Sequence, residues 1–228
     1  MRNRLRSHPA GLHLALMLTL TFSTGVIDAV GYLGLDKVFT GNMTGNVVIL
    51  GMALAGADGL PIVGPVIALV LFMAGAAVSG RVLKGRPAGW SHLNTALFGF
   101  VGVILLLAAL TALLVAERPE WVNLTLTGAL GLAMGIQAGA ARHIGVADVT
   151  TVVVTSTIVG LAFDSVFGGG GNKNWARRVL AVALIGAGAA VGALLLNLHL
   201  GLGMLLAAVI TIGAAILGHI GRPAPAKS

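Results

Sequence analysis

Cysteine is absent from all 228 residues. That excludes a disulfide scaffold and any Cys-based metal or redox site. Charge is nearly as scarce: Asp, Glu, Lys and Arg make up 9% of the chain, against about 25% in an ordinary soluble domain. So few charges cannot cover the surface of a water-soluble globule. Only seven residues are acidic and six are His. No paired-carboxylate site, no Ser/His/Asp set and no ligand-spaced histidine cluster can be assembled from them, so an enzyme and a metal site are not expected.

What is present is apolar. Hydrophobic residues make up 57%, and Gly accounts for 34 positions. Mean hydropathy is +0.99. Such hydrophobicity excludes intrinsic disorder and leaves a chain built mostly of membrane spans, with the lipid bilayer as its first partner. The net charge of +7 does not point to nucleic acid. The 14 Lys and Arg are scattered among apolar runs, form no basic patch, and read as topology signals.

A span needs about 20 mostly apolar residues. Six stretches qualify: 12–33, 60–82, 93–116, 121–141, 179–198 and 201–218. Two more are short and interrupted: 40–57 and 150–167. Arg2, Arg4 and Arg6 precede the first run as in a signal peptide. The run is too long for one and lacks an A-x-A-like site, so it reads as a retained first span.

Counting charges chooses between eight spans and six. With eight, nine Lys/Arg fall inside and five outside. With six, the inside set is Arg2, Arg4, Arg6, Arg81, Lys84, Arg86, Arg142, Lys173, Arg177, Arg178, Arg222 and Lys227. Only Lys37 and Arg118 are then outside. The second division obeys the positive-inside rule far better. The expected fold is therefore an all-α polytopic membrane protein of the bacterial cytoplasmic (inner) membrane, multi-pass, with both termini cytoplasmic. It has six transmembrane helices plus two short re-entrant or broken helices. Irregular backbone at membrane depth must be buried in protein or line a wet cavity, so both short segments are expected at the centre.

The two halves resemble each other. Gly25-Val26-Ile27 aligns with Gly135-Ile136-Gln137. Thr40 and Thr44 align with Thr151 and Thr155, and Ala74-Gly75-Ala76-Ala77-Val78 aligns with Ala187-Gly188-Ala189-Ala190-Val191. A single transmembrane domain over 1–228 would then hold repeat 1 at about 11–116 and repeat 2 at about 121–219, between short basic tails. Three spans per half make the second copy upside down, an inverted 3+3 repeat. In secondary transporters of that design, broken segments at matching positions mark the binding site.

Three motifs also carry a family resemblance. They are Gly25-x-x-Asp28-Ala29-x-x-Tyr32-Leu33, then Val38-Phe39-Thr40-Gly41-Asn42-Met43-Thr44-Gly45-Asn46, and later Thr150-Thr151-x-x-x-Thr155. Together they resemble the YoaK-like bacterial membrane proteins of DUF1275 (UPF0700), over nearly the whole chain. The resemblance implies a polytopic bacterial membrane protein of about six spans and brings no activity with it. Ser156 stands where a glycine is expected, and is expected to narrow or polarise that spot.

Asp28 is the sharpest single residue. A carboxylate at such depth costs roughly 2.5–3.5 kcal/mol on insertion scales and usually marks an ion or proton path. It reads either as a proton- or cation-coupling group or as a structural Asp bonded to Thr24, Tyr32 or a neighbouring helix. Its repeat partner is Ala138, with Gln137 as a neutral polar neighbour. The 40–46 and 150–157 blocks are the second candidate. If each opens a half-helix, its positive dipole end attracts an anion or a substrate carboxylate. Thr40 and Thr44 would share one helical face, as would Thr151 and Thr155, and Asn42 and Asn46 a neighbouring one. The candidate substrate path is thus Asp28, Thr40, Asn42, Thr44, Asn46, Gln137, Thr151, Thr155 and Thr157. Small and hydroxyl residues also serve as glue between helices, which is the competing reading of every single threonine.

Other features lean structural. Gly75-x-x-x-Ser79 and Gly188-x-x-x-Gly192 read as close helix contacts or as a homodimer interface. Trp90, Trp121 and Trp175 flank spans and read as interfacial anchors. The expected function is a secondary transporter or permease for a small polar or anionic solute, with proton coupling and no cofactor. A channel-like pore and a non-transport scaffold or assembly protein are the alternatives.

Overall fold

A bilayer core offers no water to bond backbone groups, so apolar runs of this length must fold as helices. They do so in the computed structural model, which describes residues 9–146, 151, 154–172 and 174–222. Thr150, Lys173, Lys227 and the arginines at 2, 4 and 6 lie outside the described residues. Among those described there are eight α-helices. They are α1 (Pro9–Gly34), α2 (Met43–Leu54), α3 (Val63–Leu83), α4 (His92–Leu114), α5 (Glu120–Ile144), α6 (Thr155–Phe163), α7 (Trp175–Leu196) and α8 (Leu200–Gly221). A 3₁₀ turn, Val166–Gly168, follows α6.

Six of the helices are long and apolar enough to cross a membrane. At 1.5 Å per residue they measure about 31–39 Å, against about 30 Å of hydrocarbon. The 12-residue α2 and nine-residue α6 reach only about 18 and 14 Å. The six-plus-two division expected from the charges is the one observed.

The helices meet through glycines. A Cβ on Gly25 would overlap the Ile185 carbonyl, and one on Gly188 the Phe22 carbonyl; Gly192 on Val26 and Gly34 on Leu196 continue the contact, so α1 and α7 run side by side in the same direction. In α3 and α5 a Cβ on Gly75 would overlap the Leu132 carbonyl, and one on Gly135 the Phe72 carbonyl. The two crossings use the same positions: Gly25 corresponds to Gly135 and Gly75 to Gly188 in the internal alignment. Each half's first span therefore packs on the other half's second long helix. Helices α4 and α8 pair in opposite directions, Gly201 on Ala109, Gly102 on Ile212 and Gly218 on Trp90. Close approach through small residues replaces the hydrophobic driving force that lipid cannot supply.

Helices α1 and α5 are the most buried, and α3 and α7 the most exposed. Val70, Met73, Leu180 and Leu194 on the latter pair face outward as a lipid surface. Ser79 and the three glycines Gly75, Gly188 and Gly192 are buried against α5 and α1 of the same chain. The small-residue stripes are thus spent within the protein. Ser79 adds a hydrogen bond from Oγ to the Ile136 carbonyl, 2.8 Å.

One aromatic departs from expectation. Trp90 is not an interfacial anchor: it is buried, stacked on Phe98 at 5.2 Å, and donates from Nε1 to Thr95. Gly218 leaves the space its ring fills. Trp121 and Trp175 are exposed, as anchors would be.

Apart from Asp28, the described charges sort to the two ends of the bundle. Lys37 and Arg118 lie at the end reached by Gly34, with Asp36, Asp58, Glu117 and Glu120. Arg81, Lys84, Arg86, Arg142, Arg177, Arg178 and Arg222 lie at the opposite end. This follows from the path of the first short segment. Lys37 Nζ donates to the Gly59 carbonyl at 2.7 Å, and Gly64 lies against Val38. Residues 35–62 therefore leave and return at the same end, dipping inward between.

Candidate functional site

The dip is held by Asp28. Past Gly34 the chain turns back along α1, so that residues 40–42 lie beside the carboxylate. Asp28 Oδ1 accepts the backbone N–H groups of Thr40 (3.0 Å), Gly41 (2.7 Å) and Asn42 (3.3 Å). Those amides precede α2 and have no helical partner of their own, while the carboxylate has lost water. Each meets the other's need, and the charge sits at the positive end of the α2 dipole.

The motif around it has a local reason at each position. Gly41 permits the approach: a Cβ there would stand 3.4 Å from both Asp28 oxygens and 3.0 Å from Thr24 Cγ2. Asn42 is the N-cap of α2, its side chain accepting from the Gly45 amide. Gly45 lies under the Phe39 ring, where a Cβ would be 2.6 Å from Cδ2. Asn46 clamps Phe39 in both directions, accepting its N–H at 2.9 Å and donating to its carbonyl at 2.6 Å. Tyr32 of α1 stacks on Phe39 at 4.7 Å, closing the outer side.

The second short segment is secured differently. Val154 caps α6 without a side-chain bond, and Ala138 stands where Asp28 stands in the first half. The other end of α6 is tied to α7 instead. Arg178 donates to the Gly160 carbonyl and pairs with Asp164 at 2.6 Å. Helix α6 thus runs from the middle of α7 back to its N-terminal end.

Between the two segments lies a cavity of about 300 Å³. Asp28, Gly41, Asn42, Met43 and Thr44 line one side and Val154 and Thr155 the other. Phe72 of α3 and Ile185 of α7 complete it. Four of the residues singled out from sequence meet here: Asp28, Asn42, Thr44 and Thr155.

The others do not line it. Thr40 is buried upstream of α2, and Thr151, buried with a left-handed φ of 62°, is upstream of α6. Neither threonine pair shares a helical face, because each helix begins only at the later residue or just before it. Asn42 and Asn46 likewise divide into a cap and a clamp. Gln137 lies deeper, donating from Nε2 to Thr24 Oγ1 at 3.1 Å and joining α5 to α1. Thr157 is buried within α6, and Ser156 is exposed and off the cavity wall. Neither Thr24 nor Tyr32 bonds Asp28. Its partners are backbone amides, which no residue type announces.

Phe72 and Ile185 were missed by sequence reasoning. A signal existed: each lies two residues before the repeated Ala-Gly-Ala-Ala-Val block. Among the described residues no group of three or more His, Asp or Glu could hold a metal ion.

The chain is 31% identical over 150 residues to the UPF0700 transmembrane protein YoaK of Bacillus subtilis (strain 168). The match covers 65% of this chain and 65% of that protein, so it spans slightly less than two thirds of the relative's length. No solved structure matches. The family model described as "Protein of unknown function (DUF1275)" matches residues 16–217, which include every described residue that lines the cavity. A six-span membrane protein with its motif glycines and asparagines folded around Asp28, this chain belongs to the DUF1275 family.

Proposed function

We propose that the protein is a secondary transporter for a small polar solute, built as an inverted 3+3 repeat in the bacterial inner membrane with both termini cytoplasmic. The observation that carries this reading is the meeting of Asp28, Thr44 and Thr155 around one cavity, between short helices contributed by the two halves. The reciprocal glycine crossings support the repeat, since the two halves use equivalent positions at both. The basic end of the bundle supports a cytoplasmic orientation.

In this reading the long helix pairs move as bodies around a fixed site, and the short helices open it to one face at a time. Asp28 is the coupling group, because a carboxylate at this depth exchanges a proton or cation with the cavity. The test is flux in proteoliposomes under an imposed pH gradient, with internal pH recorded while candidate solutes are added. Saturable, solute-dependent proton movement, abolished by Asp28→Asn, is the expected result. Flux that rises linearly with solute and shows no countertransport would make the protein a pore. A complete lack of flux, with a partner recovered in stable complex, would make it a scaffold.

A further inference from the structure

We propose that the cavity binds an organic ammonium ion, and that this cation and a proton alternate on the same oxygen, Asp28 Oδ2. The proposal rests on the transporter reading and names its substrate class.

The two oxygens of Asp28 are unequally occupied. All three backbone N–H donors go to Oδ1. Among the described residues no hydrogen bond engages Oδ2, and Asp28 borders the cavity. The N–H cradle is the place where an anionic substrate would be expected, and the protein's own carboxylate fills it. An incoming anion would meet a negative charge with its best donors already used.

A buried carboxylate without a countercharge is costly, and three amide dipoles do not neutralise it. Among the described residues no Lys, Arg or His lines the cavity. On the elements packed against α1, Arg177 and Arg178 lie in the first turn of α7 and His219 in the last turn of α8. Glu120 opens α5, while Arg142 and His143 close it. In α1 itself His13 is 15 residues away and contacts Trp90, and Tyr32 stacks on Phe39. In the segment after α1, Lys37 is engaged by the Gly59 carbonyl and Asp36 adds only a like charge. Among the described residues nothing supplies the missing positive charge, which leaves it to a proton or a bound cation.

The walls say what kind. Phe72, Met43, Val154 and Ile185 are apolar, and about 300 Å³ exceeds the need of a bare monovalent ion. An aromatic face and a thioether suit the hydrocarbon and the charge of an ammonium ion. The hydroxyls of Thr44 and Thr155, one from each short segment, can take its remaining N–H donors. When the ammonium leaves, a proton binds Oδ2 and restores neutrality. One carboxylate serving two cations in turn gives exchange of amine for proton, with no further group required.

The test uses the full chain in detergent and three probes of one shape: benzylammonium, benzyl alcohol and benzoate. Calorimetry at pH 8 should show saturable binding of benzylammonium alone. Its affinity should fall on acidification, by up to tenfold per pH unit as protons compete. Asp28→Asn keeps an acceptor for the loop amides and should lose benzylammonium binding. Should that variant fail to fold, proton release decides on the wild type: in weakly buffered acid, binding should release protons. Benzoate or benzyl alcohol binding as well as benzylammonium would overturn the proposal. So would sodium binding without amine binding, or benzylammonium affinity independent of pH. Benzylammonium that binds without any flux would leave the ligand class standing and remove the transporter. Saturable flux of an anion with no amine binding would do the reverse.

Discussion

Asp28 Oδ1 lies 2.7 Å from the Gly41 amide nitrogen. That contact joins a membrane-crossing helix to a segment that does not cross, with both residues buried. The carboxylate therefore anchors α2 through one oxygen, and the same residue lines the cavity. Variants can separate the two roles.

Asp28→Ala should destabilise the protein more than Asp28→Asn. Alanine leaves the amides of residues 40–42 with no acceptor, and a buried unsatisfied amide costs about 1–3 kcal/mol. Asparagine keeps a carbonyl at Oδ1. Thermal unfolding in detergent should rank wild type and Asn above Ala. Hydrogen exchange at residues 40–42 should be fast only in Ala. Equal melting temperatures for Asn and Ala would remove the anchoring role.

Asn46→Ala should loosen the same segment from the other side. It strips Phe39 of both backbone partners, so about 2 kcal/mol of stability is expected to be lost. Asn46→Asp retains the bond from the Phe39 amide but sets a carboxylate against its carbonyl, and should be no better than alanine. Melting curves of the two variants check this. An Asp variant as stable as wild type would contradict the two-way clamp.

Gly135→Ala should separate α3 from α5, since the new methyl would overlap the Phe72 carbonyl. Overpacking of this kind costs about 1–3 kcal/mol. Gly188→Ala should do the same to α1 and α7. Gly99→Ala and Gly186→Ala meet open space and should be neutral or gain up to about 1 kcal/mol from helix propensity. A thermal-shift series over the four variants tests the contrast, and equal behaviour would refute the glycine crossings.

Orientation is accessible because the native chain has no cysteine. Asp58→Cys should react with an impermeant maleimide added to intact cells. Arg86→Cys should react only after permeabilisation. Labelling of position 58 solely from the cytoplasm would invert the topology. Labelling of both from outside would overturn the six-span path.

Much of this architecture was legible residue by residue. Six runs matched the thickness of a bilayer and two did not, which is a local property of chain length. The few charges other than Asp28 divided between the ends as the structure divides those it describes, because a charge is least costly where water reaches it. Asp28 stood out because a carboxylate in an apolar run has to be explained. Asn42 as a cap could be read from its place before Met43-Thr44-Gly45.

The site itself was only half legible. The threonine pairs suggested helical faces, but α2 starts at Met43 and α6 at Thr155. The amides of residues 40–42 were claimed by Asp28 before a helix could use them. Trp90 looked like an anchor by position and became core because α8 presents Gly218 opposite its ring.

Span count, the two interrupted segments and the sorting of charge were thus written in the amino-acid order, since the bilayer acts on one segment at a time. The pairing of α1 with α7 and of α3 with α5 was decided only by the tertiary structure. So were the three amides on Asp28 Oδ1 and the entry of Phe72 and Ile185 into the cavity wall. Those depend on which surfaces fit when helices distant in sequence come together, and backbone donors and glycine-sized gaps carry no label in the chain.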